Sequence, residues 1–472
     1  MSLKNVIVIG GGLAGLSSAV ALAEAGHRVR LLEKRPHLGG RAASYVLPGG
    51  EHVDNCQHVT LGCCTNLADF YRRVGAAEKI RFFDRLLFAA TDGRRGAMES
   101  FPLPPPLHMA PSFARFPFLG LADKLAIARA LLTIAFSGGR PADLSGDAGG
   151  TTMLAWLQKH RQTERAIRRF WEVILVSALD EELDRIDAHY GIDVFWKAFL
   201  SARGGYRLGI PCVPLGELYD GCKEAIARRE GEVLLRAGVR GFQVTGNQVV
   251  GVAREDGSLE RADYYVAAVP QDILPELLPT EVVEREPVFS NLRNLRTSPI
   301  TGVHLWFDRI VMNEPFLTLL DSTTQWVFNK TQLYGGAPPD GQYLQLVISA
   351  SYSLVPRPRQ EIIELCLNEL RKVLPGIREA KLVKGTVVKE TSATFSPAPG
   401  SDRWRPTQKS PLKELFLAGD WTFTGWPSTM EGAVRSGYLA AEAILSDLGA
   451  PQKFLQLDLP AEGLARLWAR KS

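Results

Sequence analysis

The chain has 472 residues, 46% of them hydrophobic and 22% charged, with 55 Lys and Arg against 51 Asp and Glu. That balance is ordinary for a globular protein, allows about three structural units, and excludes a disordered, collagenous or coiled-coil chain. A net charge of +4 is too small to indicate nucleic acid, so no nucleic-acid partner is expected. In chain order, Val6-Ile7-Val8-Ile9 reads as a fully buried strand of a parallel sheet. Glycines interrupt it at once and no small-residue cleavage site follows, so it is a strand and not a secretory leader. Gly10-Gly11-Gly12-Leu13-Ala14-Gly15 then opens a helix whose Leu16, Ala19, Val20 and Ala23 face inward. Gly26 ends that helix, and Val29 to Leu32 form the next strand, with Glu33 at its end.

Each part of this unit has a physical task. Gly10 makes a tight turn, Gly12 lets the backbone approach a pyrophosphate at the helix N-terminus, and Gly15 permits close helix–sheet packing. Glu33 accepts hydrogen bonds from a ribose and repels a 2′-phosphate, which leaves NAD or FAD. Lys34 follows it among the expected cofactor-binding residues. A second paired-glycine turn, Gly39-Gly40-Arg41, brings further N–H groups and a cation toward the same phosphates, which argues for FAD.

The six cysteines, Cys56, Cys63, Cys64, Cys212, Cys222 and Cys366, have no metal or redox spacing, so no metal site and a reducing, cytoplasmic setting are expected. Between residues 71 and 214 the pattern is mostly helical: Asn66 to Val74, Leu121 to Phe136, Met153 to His160 and Arg165 to Ser177. Residues 115–137 form a candidate membrane-contact helix. Phe118, Leu121, Leu125, Ala128, Leu132 and Phe136 share one stripe, Lys124 and Arg129 lie at its margins, and Ile127, Leu131 and Ile134 occupy the other face. Asp180-Glu181-Glu182 reads as a solvated helix end. Val233 to Leu235, a hairpin at Thr245-Gly246-Asn247 and Ala262 to Pro270 continue the nucleotide unit. Gly302 to Phe307 and Tyr343 to Ile348 read as strands of an antiparallel sheet, with a helix from Glu361 to Val373.

Near the end, Leu415-Phe416-Leu417-Ala418-Gly419-Asp420 is a buried strand closing in Gly-Asp, and Pro427-Ser428-Thr429-Met430-Glu431-Gly432-Ala433 opens a helix with Ser428 or Thr429 as N-cap. Asp420 suits ribityl hydroxyls, and the helix N-terminus favours the negative charge of a reduced flavin. Both ends of the chain therefore call for FAD. Trp421, Phe423 and Trp426 are expected to wall the substrate pocket. A basic tail at 449–472 carries Leu464, Leu467 and Trp468 with Arg466, Arg470 and Lys471.

With these segments in view, the chain resembles the FAD-dependent amine oxidase and phytoene desaturase superfamily. The resemblance rests on Gly10 to Arg41, on Ala418-Gly419-Asp420, and on Met430-Glu431-Gly432-Ala433-Val434-Arg435-Ser436-Gly437. It implies an α/β fold, amine-oxidase-like, with a discontinuous Rossmann-like FAD-binding domain at 1–70, 215–275 and 400–448. An α+β substrate domain is left at 71–214 and 276–399. It further implies that the Val239 backbone meets the adenine and that Thr429, Met430, Glu431 and Ala433 border the flavin.

Within the superfamily, Val53-Asp54-Asn55-Cys56-Gln57-His58, Phe101 to His108, and Thr424-Gly425-Trp426-Pro427 are similar to the squalene-associated branch, the hydroxysqualene dehydroxylases of bacterial hopanoid synthesis. Cys56 departs from that branch, which has Gly there. The branch implies an apolar isoprenoid substrate, an external electron donor, peripheral membrane contact, and acid-assisted loss of water with hydride delivery from flavin N5. Asp54 and His58, on the strand the family sets beside the flavin, are the expected catalytic pair, and such an acid contributes roughly 10²–10⁴ in rate. Carotenoid-type desaturation or isomerisation, a catalytically silent FAD-binding partner of a lipid pathway, and conventional amine oxidation are the alternatives.

Overall fold

Three distant stretches of chain meet in one parallel sheet. Its strands run Glu232–Leu235, Arg28–Glu33, Asn5–Ile9, Tyr264–Ala267 and Leu415–Leu417 in spatial order. This is a computed structural model, and it describes residues 3–144, 150–336 and 341–469. The strands are short apolar runs because both faces of the sheet are covered. Helices Leu13–Glu24 and Met430–Asp447 lie on one face, with Thr65–Arg73 and Asp220–Ala227 beside them. The hairpin Val239–Thr245 and Gln248–Arg254 covers the other with Phe242, Val249 and Val252. The two long helices cross in contact, since a side chain at Gly437 would overlap the Ala14 carbonyl oxygen and the Ser17 hydroxyl.

A second sheet has seven strands in the order Leu382–Phe395, Thr297–Phe307, Gln342–Ile348, Trp326–Asn329, Phe316–Leu320, Arg85–Ala90 and Arg95–Glu99. It is mixed, not purely antiparallel, because Phe316–Leu320 and Arg85–Ala90 pair in parallel. The stretch after residue 71 is also less helical than its pattern predicts. It contributes Ile80–Phe83, Arg85–Ala90, Arg95–Glu99 and Leu208–Pro211 as strands, short apolar runs that sequence periodicity alone does not separate from helix. Helix Arg359–Val373 packs on one face of this sheet through Ile362, Cys366 and Leu370. The predominantly helical layer that includes Leu121–Phe136, Glu172–Leu179 and Ala188–Val194 packs on the other.

Helix Leu121–Phe136 is two-faced. Ile127, Ala130 and Ile134 are fully buried, whereas Leu121, Leu125, Leu132 and Phe136 stand in solvent; Phe118, expected on that outer stripe, is buried. The tail returns to this helix: Gly463–Leu467 forms one short 3-10 turn, and the Trp468 ring sits 4.8 Å from that of Phe136. Arg470 and Lys471 lie outside the described residues. Among the described residues, no helix is long and apolar enough to cross a membrane.

Candidate active site

The N-terminal glycines fold as a nucleotide cradle. Gly10 adopts φ +107°, which only glycine tolerates freely, and the nearest atom to a side chain at Gly12 would be the Gly40 Cα at 3.9 Å. Backbone N–H groups at the start of Leu13–Glu24 thus face open space of the kind a pyrophosphate fills. The second glycine turn is stitched to the first by Gly39 N–H donating to the Gly11 carbonyl at 2.8 Å. Gly15 packs against the Gly10 backbone, and the buried Glu33 carboxylate accepts Gly11 N–H at 2.6 Å and Arg35 N–H at 2.7 Å. Val239 begins the hairpin close by, after Ala237 N–H bonds the Glu33 carbonyl at 2.8 Å. Lys34 has no place here. It is 76% exposed and pairs with Glu255 at 3.3 Å on the outer surface.

The second half of the groove comes from the C-terminal turn. Arg41 and Ser428 both donate to the Asp420 carboxylate, and Gly419 N–H donates to Ser436 Oγ at 2.8 Å. Ser436 Oγ in turn donates to the Ala433 carbonyl at 2.6 Å. Thr429 is the N-cap, its hydroxyl accepting Gly432 N–H at 3.0 Å, so Met430 and its neighbours present a free helix N-terminus. Glu431 reaches sideways and accepts the N–H groups of Asn66 at 3.2 Å and Leu67 at 2.7 Å, capping helix Thr65–Arg73. These residues fit FAD: a phosphate cradle, a ribose acid, a cation, and a helix N-terminus at the flavin end.

The aromatic residues after Asp420 divide. Trp426 lines the cavity described below. Trp421 instead points under the sheet, fully buried, with its Nε1–H on the Val269 carbonyl at 2.9 Å, and Phe423 is half exposed. Neither Trp421 nor Phe423 walls the pocket, because the turn at Gly419 sends them away from it. What holds the turn is Arg405, which sequence reading passed over. Its buried guanidinium donates to the carbonyls of Thr422 and Trp426 at 2.7 Å each and of Asp420 at 3.2 Å.

Asp54 and His58 do not form an acid pair. The Asp54 carboxylate is fully buried and accepts hydrogen bonds from Ser44 Oγ at 2.6 Å, Leu215 N–H at 3.0 Å, Lys330 Nζ at 2.8 Å and Tyr334 Oη at 3.0 Å. Burial alone would raise its pKa, but the Lys330 ammonium and the other donors hold it below the usual carboxylate range. A carboxylate so held has no proton to give. His58 places Nδ1 3.0 Å from the Cys56 carbonyl, and burial lowers its pKa, leaving a neutral imidazole outside the cavity lining. Lys330 is itself fully buried and also donates to Gln57 Oε1 at 2.6 Å.

Above the free helix N-terminus opens a cavity of about 1360 Å³ including its mouth. Its lining is largely apolar, with Val59 and Leu61 from the segment after His58, Ile174 on the helical side, and Phe88, Phe328 and Val347 from the mixed sheet. Thr429, Met430 and Glu431 bring the helix start into the same wall. Beyond the lining residues Leu179 and Ser349 sits Asp180, expected in solvent but buried, in the left-handed region at φ 52°. It accepts Ala350 N–H at 2.8 Å and Thr394 Oγ–H at 2.9 Å, and burial pushes its carboxyl well above the usual range. Glu181 is likewise buried, taking the Tyr352 hydroxyl at 2.8 Å, while Glu182 stays exposed as expected. All six cysteines are free thiols, and among the described residues no cluster of His, Cys, Asp and Glu could hold a metal.

A parallel sheet bearing the nucleotide cradle is joined to a mixed sheet with the cavity at their junction, and the chain is a flavin-dependent oxidoreductase with FAD as its cofactor. Residues 13–445 match the flavin containing amine oxidoreductase family, and the chain belongs to it. It is 27% identical over 461 residues to a 15-cis-phytoene desaturase of Synechococcus elongatus, covering 94% of this chain and 96% of that protein. A zeta-carotene desaturase of Synechocystis is 27% identical over 477 residues, with 94% and 97% covered. Among solved structures, an oxidoreductase from Methanosarcina mazei superposes with a TM-score of 0.72 at 19% identity, covering 94% and 100%. A putrescine oxidase superposes at 0.70 and 16%, covering 94% and 99%. At those identities the superpositions establish the fold alone.

Two predictions follow from the buried charges. Removing one partner of the Asp54–Lys330 pair, as Asp54→Ala or Lys330→Met, should cost about 3–5 kcal/mol in urea unfolding, whereas the double change Asp54→Leu with Lys330→Met should cost markedly less. Asp180 has a folded pKa above its unfolded value, so its stabilising share is complete below the unfolded pKa and is lost as pH rises toward the folded one. The Tm of Asp180→Asn relative to wild type should therefore climb as pH rises above the ordinary carboxylate range.

Proposed function

We propose that the substrate is a long apolar isoprenoid, and that the reaction is reductive removal of the hydroxyl of hydroxysqualene to give squalene. The observation that carries this reading is the cavity between the two sheets, mostly apolar in its walls and bounded by the helix N-terminus at the flavin end. Bound FAD supplies hydride transfer at N5. The chain's part is to exclude water, hold the hydrocarbon against that end, and keep the Gly419–Thr429 turn rigid through Arg405. A second reading, desaturation of a carotenoid precursor, is favoured by the phytoene and zeta-carotene desaturases among the relatives. The two differ in the direction of electron flow.

Peripheral membrane contact belongs to the same proposal. Leu121, Leu125, Leu132 and Phe136 are exposed along one helix face, Leu467 beside them is 74% exposed, and among the described residues Lys124 and Arg129 pair with no carboxylate. Apolar surface rimmed by cations that pair with no carboxylate among the described residues suits an anionic bilayer surface from which such a substrate is drawn.

The reaction is tested anaerobically with reduced enzyme. Hydroxysqualene in detergent should reoxidise the flavin with formation of squalene in equal amount. Bleaching of oxidised enzyme by phytoene, with no response of reduced enzyme to hydroxysqualene, would establish the desaturase reading instead. For the membrane, wild type should float with anionic liposomes and Leu132→Glu/Phe136→Glu should remain at the bottom of the gradient; equal flotation of both removes the helix as the contact.

A further inference from the structure

The cavity is not uniformly apolar, and one connected run of polar groups starts in its wall. Among the described residues, Lys197 is the one Lys or Arg in the lining. Its Nζ donates to Asp193 at 2.8 Å and stands 4.9 Å from the centroid of the Trp426 ring. Trp426 Nε1–H donates to Asp458 at 3.2 Å, and Asp458 also accepts Arg435 at 2.8 Å. Arg435 lies 3.5 Å from Glu431. The run thus links the Lys197 wall to the start of the helix at the flavin end.

The Lys197 ammonium has three N–H donors. Asp193 takes one, and Asp458, at 3.9 Å, is too far for a hydrogen bond. The side chain is only 20% exposed, so water reaches it less than it would a surface lysine. In the wall, Lys197 stands with the carboxylates of Asp193 and Glu431, and Arg435 and Asp458 pair with each other behind it, an arrangement that repels a phosphate or diphosphate. A neutral oxygen meets no such penalty.

We propose that Lys197, oriented by Asp193 and by the Trp426 ring, donates a hydrogen bond to a hydroxyl oxygen on the isoprenoid and thereby selects an alcohol over the parent hydrocarbon. This rests on the isoprenoid reading of the cavity and adds to it a residue that distinguishes oxygenated from plain chains. A charged donor meeting a buried hydroxyl favours it over a chain that leaves the donor unpaired by roughly tenfold or more.

The test is a titration of the FAD-loaded enzyme, with flavin absorbance as the signal and hydroxysqualene and squalene as the two probes. Wild type should bind hydroxysqualene roughly tenfold more tightly than squalene. Lys197→Met should bring the two dissociation constants together while changing that of squalene by less than about twofold, and Lys197→Arg should retain part of the preference. Where Lys197→Met fails to keep FAD, Lys197→Gln is measured in its place and should lose most of the preference. Equal binding of both probes by wild type, or an undiminished preference in the neutral variants, overturns the assignment of Lys197 and leaves the isoprenoid reading standing. Binding of neither probe by wild type overturns the isoprenoid reading and the assignment together.

Discussion

The buried carboxylate of Asp54 is the point at which separate parts of the chain are tied. Ser44, Leu215, Lys330 and Tyr334 each donate to it, so the first nucleotide segment, the second, and the helical turn that follows strand Trp326–Asn329 of the mixed sheet share one ion. An ion pair of this kind is a poor source of net stability, because desolvation consumes most of the Coulomb gain. Its value lies in geometry: few alternative packings supply four donors to one buried carboxylate, and Gln57, held by the same Lys330, is thereby fixed in the cavity wall.

Arg405 performs the matching task on the opposite side. The Gly-Asp turn must present Asp420 and the helix start at a constant spacing, yet its backbone belongs to neither helix nor sheet. Four carbonyls of that turn, those of Asp420, Trp421, Thr422 and Trp426, converge on one guanidinium, which also donates to the Tyr190 hydroxyl oxygen and pairs with Asp402 at 2.9 Å. Buried carbonyls that would otherwise be orphaned are satisfied, and the loop gains the rigidity a cofactor site requires.

The cofactor half was legible because its signals are local. Strand, glycine turn, helix and acid fall within residues 6–33, and the hairpin at Thr245-Gly246-Asn247 and the N-cap at Thr429 announce themselves within a few residues. The catalytic half was not, because its logic is long-range. Asp54 resembles a free acid until Lys330, 276 residues away, is placed beside it. Asp180 looks solvated until Ala350 and Thr394 close over it. Trp421 and Trp426 are alike in sequence and opposite in fate, since Gly419 at φ 154° and the Arg405 contacts decide which way each ring turns. Arg85–Ala90 gave no strand signal beyond a short apolar run, and its parallel partner lies more than 200 residues on.

The order of segments in the parallel sheet also governs how the protein comes into being. The edge strand Leu415–Leu417 and the helix after it emerge from the ribosome last, although they complete a site begun at Gly10. At about 5–20 residues per second, synthesis runs for tens of seconds before that strand exists. During that interval the flank of Tyr264–Ala267 that later receives it is an open edge, the sort of surface nascent-chain chaperones guard. The groove begun at Gly10 is consequently left unfinished until the last strand and helix have been made.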